Sequence, residues 1–270
     1  MLKPLLKWAG GKRQLLSEIN KYIPDKFITY YEPFVGGGAV LFDLSPKSAV
    51  ISDINPELIN LYNVIKNNKD GLIAELRTYK NDKTFYSEIR ELDRKKDFDK
   101  LSDVKKAARM VYLNRTCFNG LWRVNSKGQN NVPFGNYKNP LICDAETITD
   151  LSKFFNENDI EIFNQSYTKT LETVNLGDFV YLDPPYDKLN EASFTSYSSF
   201  DFDRAEQKIL KEECDKIDKK GAKFLQSNAD TPFIRELYKD YTIITVKANR
   251  NINADGKGRD KINEVLIKNY

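Results

Sequence analysis

Histidine is absent from all 270 residues of the chain. That absence removes Ser-His-Asp hydrolysis, Cys-His proteolysis and histidine-ligated metal sites together. Cysteine is scarce too: Cys117, Cys143 and Cys214 stand far apart, without the spacing of a zinc site or a disulfide framework. No run approaches the ~20 apolar residues a membrane-crossing helix needs. The opening segment 1–7 lacks the apolar stretch of a secretory signal. A reduced, cytoplasmic protein with no metal and no membrane partner is therefore expected. Its chemistry has to come from carboxylates, aromatic rings, backbone groups or a bound cofactor.

Acidic residues are missing from one long segment. Between Val104 and Cys143 there is no Asp or Glu, while Lys105, Lys106, Arg109, Arg115, Arg123, Lys127 and Lys138 are basic. The formal net charge is +3, yet outside those seven residues 35 basic side chains face 39 acidic ones, a balance of −4. An ordinary solvated face mixes both signs. A segment with basic groups and no nearby carboxylates suits docking on a polyanion, because phosphate neutralisation needs unpaired cations.

The elements point to an α/β chain. A strand over Thr29–Phe34 runs into Val35-Gly36-Gly37-Gly38, and a helix opens at Ala39. A second strand, Ala49–Ser52, ends at Asp53, after which Asn55 and Pro56 suit the N-cap and first position of another helix. Strand, glycine turn, helix, strand and acid in that order form the first half of a parallel sheet. From about Glu57 to Tyr112 the pattern is mostly helical and charged, and Asn114–Lys138 reads as a hairpin or ordered loop around Ser126-Lys127-Gly128. Residues 58–159 thus read as an insertion. The core resumes with strands at Asp159–Phe163, Phe179–Leu182 and Ala222–Leu225, and an antiparallel pair, Thr242–Lys247 and Glu264–Lys268, belongs at one edge. Seven strands of this kind make a Rossmann-like sheet. The loop joining the last two carries a second basic cluster of Arg250, Lys257, Arg259 and Lys261.

Two motifs bear on a cofactor. Glycines at 36–38 let the backbone turn tightly and approach a ligand, although a structural turn explains them equally well when taken alone. The run departs from the dinucleotide pattern, since position 41 is Leu, and no Gly-Lys-Ser/Thr follows to make a phosphate loop. Asp53 at the end of the next strand suits hydrogen bonds from ribose hydroxyls. A ribose acid without a phosphate loop favours a nucleoside cofactor lacking phosphates, of which S-adenosylmethionine is the common one. Near the start, Trp8 and Lys12 flank a glycine turn; Trp8 suits a face of the cofactor's adenine and Lys12 its carboxylate.

The most specific motif is Asp183-Pro184-Pro185-Tyr186, directly after the apolar strand 179–182. Two prolines force the chain out of the sheet there, exposing the Asp carboxylate and first Pro carbonyl where α/β ligands bind. Adenine N6 is a poor nucleophile because its lone pair is delocalised into the ring. Two acceptors on its two hydrogens bias the nitrogen towards a pyramidal geometry, and Tyr186 can stack on the base once it leaves the duplex.

Assembled, these residues resemble the Dam-type DNA adenine-N6 methyltransferases of the alpha group, most closely the GATC-modifying enzymes of bacterial restriction-modification systems. The likeness covers nearly the whole chain, through residues 7–16, 32–40, 52–60, 114–140, 178–186 and 194–197 and the C-terminal strand pair. It implies a Rossmann-like seven-stranded methyltransferase sheet with an inserted, mainly helical target-recognition domain carrying a hairpin loop. Residues 1–57 and 160–270 would form the catalytic domain and 58–159 the recognition domain. It implies S-adenosylmethionine at Trp8, Lys12, Phe34, Gly36, Gly38, Asp53, Ser166, Tyr167 and Asp183, with Asp183, Pro184 and Tyr186 as the catalytic pocket. Phe118 and Asn119 would enter double-stranded DNA near the displaced base. Leu121, Arg123 and Pro133 would read the GATC pairs and Lys7 the outer guanine, a bidentate Arg being the commonest guanine contact. Arg115, Asn131, Lys138, Arg250, Lys257 and Arg259 complete the expected DNA contacts. Many relatives carry an acid where Ser166 stands. The resemblance also implies a bacterial or phage setting and a partner restriction endonuclease.

Three other readings bear on the same residues. Glutamine-modifying enzymes typically have Asn where Asp183 stands. Cytosine-C5 methylation needs a cysteine after a proline, and none of the three cysteines follows one. A DNA-binding protein that has lost catalysis would not bind labelled cofactor.

Overall fold

A computed structural model describes residues 2–187, 202–248 and 262–270. These residues form seven strands: β1 (Tyr30–Glu32), β2 (Ser48–Asp53), β3 (Asp159–Asn164), β4 (Phe179–Leu182), β5 (Lys223–Ala229), β6 (Thr242–Ala248) and β7 (Ile262–Lys268). They make one sheet in the order β3-β2-β1-β4-β5-β7-β6. The first five pair in parallel, and β7 runs antiparallel to both β5 and β6. The expected seven-stranded α/β sheet is therefore present, with the antiparallel pair at one edge. Strand order reverses between β1 and β4, which opens the crevice where ligands of such sheets bind.

Strand alternation sets the layers. Tyr30, Phe179, Tyr181, Leu225 and Leu266 point into one apolar cluster, while Tyr31, Val180, Leu182, Phe224, Val265 and Ile267 point into another. Period-2 strands with both faces apolar must be covered twice. The first cluster is covered by α1 (Leu16–Ile19), α2 (Ala39–Leu44), α3 (Pro56–Arg77), α4 (Lys83–Arg90), α5 (Asp103–Thr116) and α6 (Ala145–Glu157). The second lies under α7 (Tyr167–Leu171), α8 (Arg204–Lys219) and α9 (Pro232–Leu237).

Local sequence explains the element ends. Asn55 caps α3, its Oδ1 accepting the Glu57 and Leu58 N–H groups at 3.0 and 3.2 Å, with Pro56 at the first helical position. The helix kinks at Asn68, whose Oδ1 accepts the Gly71 N–H at 3.1 Å. The helical stretch read over 57–112 is broken into α3, α4, two 3-10 turns and α5, because polar residues such as Asp82 and Ser102 cap new helices there. β1 is shorter than read from the sequence, ending before Pro33, and β5 is longer, reaching Ala229.

The segment between β2 and β3 is tied to the sheet. The rings of Phe42, Tyr62, Phe154 and Phe155 pack with centroids 5.6–6.1 Å apart. A single apolar cluster runs from the strands into α5 and on to Trp122 and Val132. No helix among the described residues is long and apolar enough to cross a membrane.

Candidate active site and nucleic-acid interface

The glycine turn leaves β1 at the carboxyl edge of the sheet. Gly36 and Gly38 have φ of 47° and 71°, the left-handed region that favours glycine. The Gly36 N–H donates to Asp53 Oδ2 at 3.1 Å and the Asn55 N–H to Asp53 Oδ1 at 2.9 Å. Asp53 is thus fixed by two backbone donors at the end of β2. Burial raises its pKa, and those N–H groups oppose the rise. Trp8 lies against the turn: a Cβ on Gly36 would stand 2.8 Å from its Cδ1 and Nε1. Beside Asp53 the apolar Ile54 and Phe163 are 52% and 38% exposed, at the ends of β2 and β3.

Phe34 stacks on Tyr167 with centroids 5.0 Å apart, and Phe202 closes the group edge-on at 5.9 Å from Phe34. Tyr167 is buried and its hydroxyl donates to Glu206 at 2.9 Å. Ser166 caps α7, accepting the Lys169 N–H at 3.4 Å. These two expected cofactor positions therefore make a helix start and an aromatic wall.

Asp183 to Tyr186 follow β4 at the same edge. Lys12, almost fully buried, forms an ion pair with Asp183 Oδ1 at 2.7 Å and donates to the Gly10 carbonyl at 2.6 Å. Its ammonium also lies 4.8 Å from the Tyr186 ring centroid. Lys12 thus meets the Asp183 carboxylate rather than standing free. Burial raises the Asp183 pKa while Lys12 pulls it down, and Glu264 adds like charge. Asp183 Oδ2 and the Pro184 carbonyl accept no hydrogen bond from the described residues. Glu32, at the end of β1, is buried and accepts the Tyr30 hydroxyl at 2.7 Å. Burial pushes its carboxyl up to about 8, with Asp183 adding to the rise.

Between Val104 and Cys143, folding separates the basic residues that the sequence grouped. Arg109 is fully buried, and its guanidinium donates to Glu57 at 2.8 Å, to Asp93, and to the carbonyls of Ile89 and Arg90. It is no part of a docking surface; carboxylates remote in sequence fold across to meet it. Half-buried Arg115 pairs with Asp144 at 3.4 Å, and burial lowers its pKa. Lys7, Arg123, Lys127 and Lys138 remain exposed, as do Phe118, Asn119 and Pro133. Arg123 donates to Asn131 Oδ1 at 2.7 Å, and partly buried Leu121 lies beside them. Asn119 has φ of 56°, which turns the loop tip outward. The expected hairpin is a tight turn, with the Asn125 N–H donating to the Gln129 carbonyl at 2.8 Å and Val124 bridging Asn130. Lys7 is braced to this segment, for its N–H donates to Asn114 Oδ1 at 2.9 Å while Asn114 Nδ2 donates to the Lys7 carbonyl at 2.7 Å. Arg250, Lys257, Arg259 and residues 194–197 lie outside the described residues.

The family model of the D12 class N6 adenine-specific DNA methyltransferases matches residues 8–252. The chain belongs to that family. A type II methyltransferase, M1.LlaDCHI of Lactococcus lactis subsp. cremoris, is 45% identical over all of this chain and 96% of the relative. M.MjaIII of Methanocaldococcus jannaschii is 42% identical over all of this chain and 99% of the relative. The DNA adenine methylase of Escherichia coli K12 is 35% identical over 98% of this chain and 94% of the relative. This D12-class enzyme therefore methylates adenine N6 in DNA, with S-adenosylmethionine as methyl donor. No group of metal-ligating side chains occurs among its described residues.

Several residues of the methyltransferase's carboxyl edge were not singled out by sequence. Glu32 carried a signal, an acid closing the strand before the glycine turn. Ile54 and Phe163 carried a weaker one, as apolar residues at strand ends beside Asp53. Gln207, Asn228 and Glu264 carried none, because each reaches the Asp183–Tyr186 loop from a distant strand or helix.

Proposed function

We propose that this methyltransferase acts on duplex DNA at GATC, extruding the target adenine into the pocket of Asp183, Pro184 and Tyr186. The observation that carries this reading is a pair of acceptors without a partner among the described residues, Asp183 Oδ2 and the Pro184 carbonyl, beside Tyr186 at the carboxyl edge of the sheet. Each acceptor takes one N6 hydrogen. The amine is then biased towards a pyramidal form with its lone pair directed out of the ring plane. Positioning lowers the barrier, and the two acceptors stabilise the positive charge that grows on N6. The methylated ammonium is strongly acidic and loses its extra proton to water, so no histidine base is needed.

The donor set fits S-adenosylmethionine. Asp53 is held by two N–H groups with lone pairs to spare for ribose hydroxyls, and Ile54 and Phe163 offer apolar surface for a purine. The Gly36–Gly38 turn, whose missing Cβ atoms make room for Trp8 and Phe42, would present its backbone to the cofactor near the stacked Phe34 and Tyr167. Lys12 and Asp183 would flank the amino-acid end, and Ser166 supports Tyr167. When bound, the cofactor supplies an electrophilic sulfonium methyl.

Residues 58–159 would read DNA while 1–57 and 160–270 hold the chemistry, with α3 and α6 serving both by covering the sheet. Exposed Arg123, Pro133 and Lys7, with partly buried Leu121, would read the four base pairs. Phe118 and Asn119 would fill the gap left by the base, an exposed ring on an acid-free loop being suited to insertion. Asn131, Lys138 and Arg115 would orient that loop or meet phosphate, together with Arg250, Lys257 and Arg259. The Lactococcus relative's description as a type II methyltransferase supports work beside a cognate endonuclease in a bacterial or phage-infected cytoplasm.

The test is transfer of labelled methyl to duplexes carrying GATC or a scrambled site, with the modified base identified after digestion. N6-methyladenine confined to the GATC duplex supports the reading. Equal label in both discards the base-reading roles.

A further inference from the structure

The Asp183–Tyr186 loop is held from behind by a buried pair of side-chain amides. Gln207 on α8 and Asn228 on β5 are both fully buried. Asn228 Oδ1 accepts two backbone N–H groups, from Asp187 at 3.2 Å and from Ala229 at 2.8 Å. Its Nδ2 donates to Gln207 Oε1 at 3.0 Å, and Gln207 Nε2 donates to the Pro185 carbonyl at 2.8 Å. The direction of this relay is forced. Two N–H donors fix Asn228 Oδ1, which leaves Nδ2 facing Gln207, which in turn leaves Nε2 facing Pro185. Flipping either amide sets like groups against each other in a buried place, where an unmet donor or acceptor is costly.

The two ends of the relay have one residue in common. The Pro185 carbonyl belongs to the peptide group before Tyr186, and the Asp187 N–H to the peptide group after it. Both peptide planes flanking Tyr186 are therefore fixed by one amide pair. A third tie holds the far end of the side chain, for the Tyr186 hydroxyl donates to Glu264 Oε2 on β7 at 2.7 Å. Because Gln207 occupies the Pro185 carbonyl and nothing described occupies that of Pro184, the same relay also decides which proline carbonyl stays available.

We propose that Gln207, Asn228 and Glu264 are positioning residues of this methyltransferase, which act by locking the backbone and the hydroxyl of Tyr186 so that the extruded adenine meets a preset plate. The proposal rests on the reading of Tyr186 as the surface that receives the base. Gln207 and Asn228 set the height and tilt of the ring through its backbone, and Glu264 removes its remaining freedom of swing.

The experiment compares Gln207→Met, Asn228→Leu, Asn228→Asp, Glu264→Ala, Glu264→Gln, Tyr186→Phe and Tyr186→Ala in the full chain. Thermal unfolding, cofactor affinity, kcat and KM on a GATC duplex are measured, with fluorescence of 2-aminopurine placed at the target adenine. Misplacement of about 1 Å costs on the order of 10²-fold in rate. Asn228→Leu and Gln207→Met should therefore lose kcat on that scale, with cofactor affinity unchanged within about threefold and an altered 2-aminopurine signal. Asn228→Asp, which keeps the acceptor for Asp187, should fall between. Glu264→Gln should restore most of what Glu264→Ala loses, and Glu264→Ala should cost nothing further in a Tyr186→Phe background. Folded Asn228 and Gln207 variants with normal kcat and a normal 2-aminopurine signal would overturn the clamp, leaving only a stabilising role. A Tyr186→Ala enzyme with the wild-type 2-aminopurine signal would instead overturn the plate reading beneath it.

Discussion

Replacing Arg109 by Met should destabilise the protein severely while leaving the number of DNA phosphate contacts unchanged. The guanidinium is fully buried and faces Glu57 and Asp93, whose side chains are 19% and 6% exposed. Removing it leaves the Glu57 carboxylate without its cation in a place that water barely reaches, while Asp93 keeps Arg94 and the Asn130 N–H. Breaking a buried pair in this way costs about 3–5 kcal/mol. At about 2–4 °C per kcal/mol for a chain of this size, the midpoint should fall by roughly 6–20 °C. Burial already holds the Glu57 carboxyl above the usual carboxylate range, with Arg109 opposing the rise, so its loss raises that group further. A carboxyl whose folded pKa exceeds its unfolded one contributes stability at low pH and loses it as pH rises through the folded value. The deficit should therefore be smaller near pH 5 than near pH 8. Adding Glu57→Gln should recover most of it, since Asp93 still pairs with Arg94 and no carboxylate is then left without a partner. DNA affinity titrated against salt on the folded variant should keep the wild-type slope, where loss of a phosphate contact would flatten it by about 0.9. A stability loss under about 1 kcal/mol, or a flattened slope, would refute the assignment of Arg109 to the interior.

Other perturbations test the site and the interface. Arg123→Ala should relax sequence preference and cost about 1–3 kcal/mol of discrimination; an equal fall on GATC and near-cognate duplexes would show that Arg123 reads no base. DNA affinity of the wild-type enzyme should drop steeply with ionic strength, and a flat response would remove the docking role of the exposed Lys and Arg residues. Glu32, pushed up to about 8 from 4.5, should cost the fold about 1.4 kcal/mol per pH unit as pH rises between those values. Denaturant unfolding of Glu32→Gln should therefore show a flatter pH dependence than wild type over pH 5–8, and identical profiles would place Glu32 in water. Gly36→Ala should add about 1–2 kcal/mol of backbone strain and push Trp8 off the turn, visible as changed tryptophan emission; Trp8→Ala should relieve the contact but not the strain.

Sequence conveyed the sheet and the placing of the candidate site residues at its carboxyl edge because both rest on local signals. Gly36, Asp53 and the Asp183-Pro184-Pro185-Tyr186 run each sit at the end of a recognisable strand, and strand ends are where the fold gathers ligand-facing groups. The basic segment was misjudged for the opposite reason. Arg109 and Arg115 look unpaired along the chain, but Glu57 on α3, Asp93 in the turns before α5 and Asp144 at the start of α6 reach them through packing. Lys12 likewise looked available for a cofactor carboxylate, and folding set it on Asp183. The Gln207–Asn228 relay was invisible because nothing in the pattern of a helix or a strand distinguishes a buried amide with partners from an exposed one.

The placement of β7 has a consequence for how this chain comes into being. It is the last strand in sequence but lies inside the sheet, between β5 and β6. During synthesis from the N-terminus, β5 and β6 have no neighbour to join them until residues 262–268 have emerged. Until then β5 presents a bare row of backbone donors and acceptors, the kind of edge that invites pairing with a foreign strand. Glu264 arrives on the same late strand, so the wall around Tyr186 is completed only when that gap closes. A nascent chain halted before residue 262 would hold the glycine turn and the Asp183–Tyr186 run, yet lack both the finished sheet and the Glu264 tie to Tyr186.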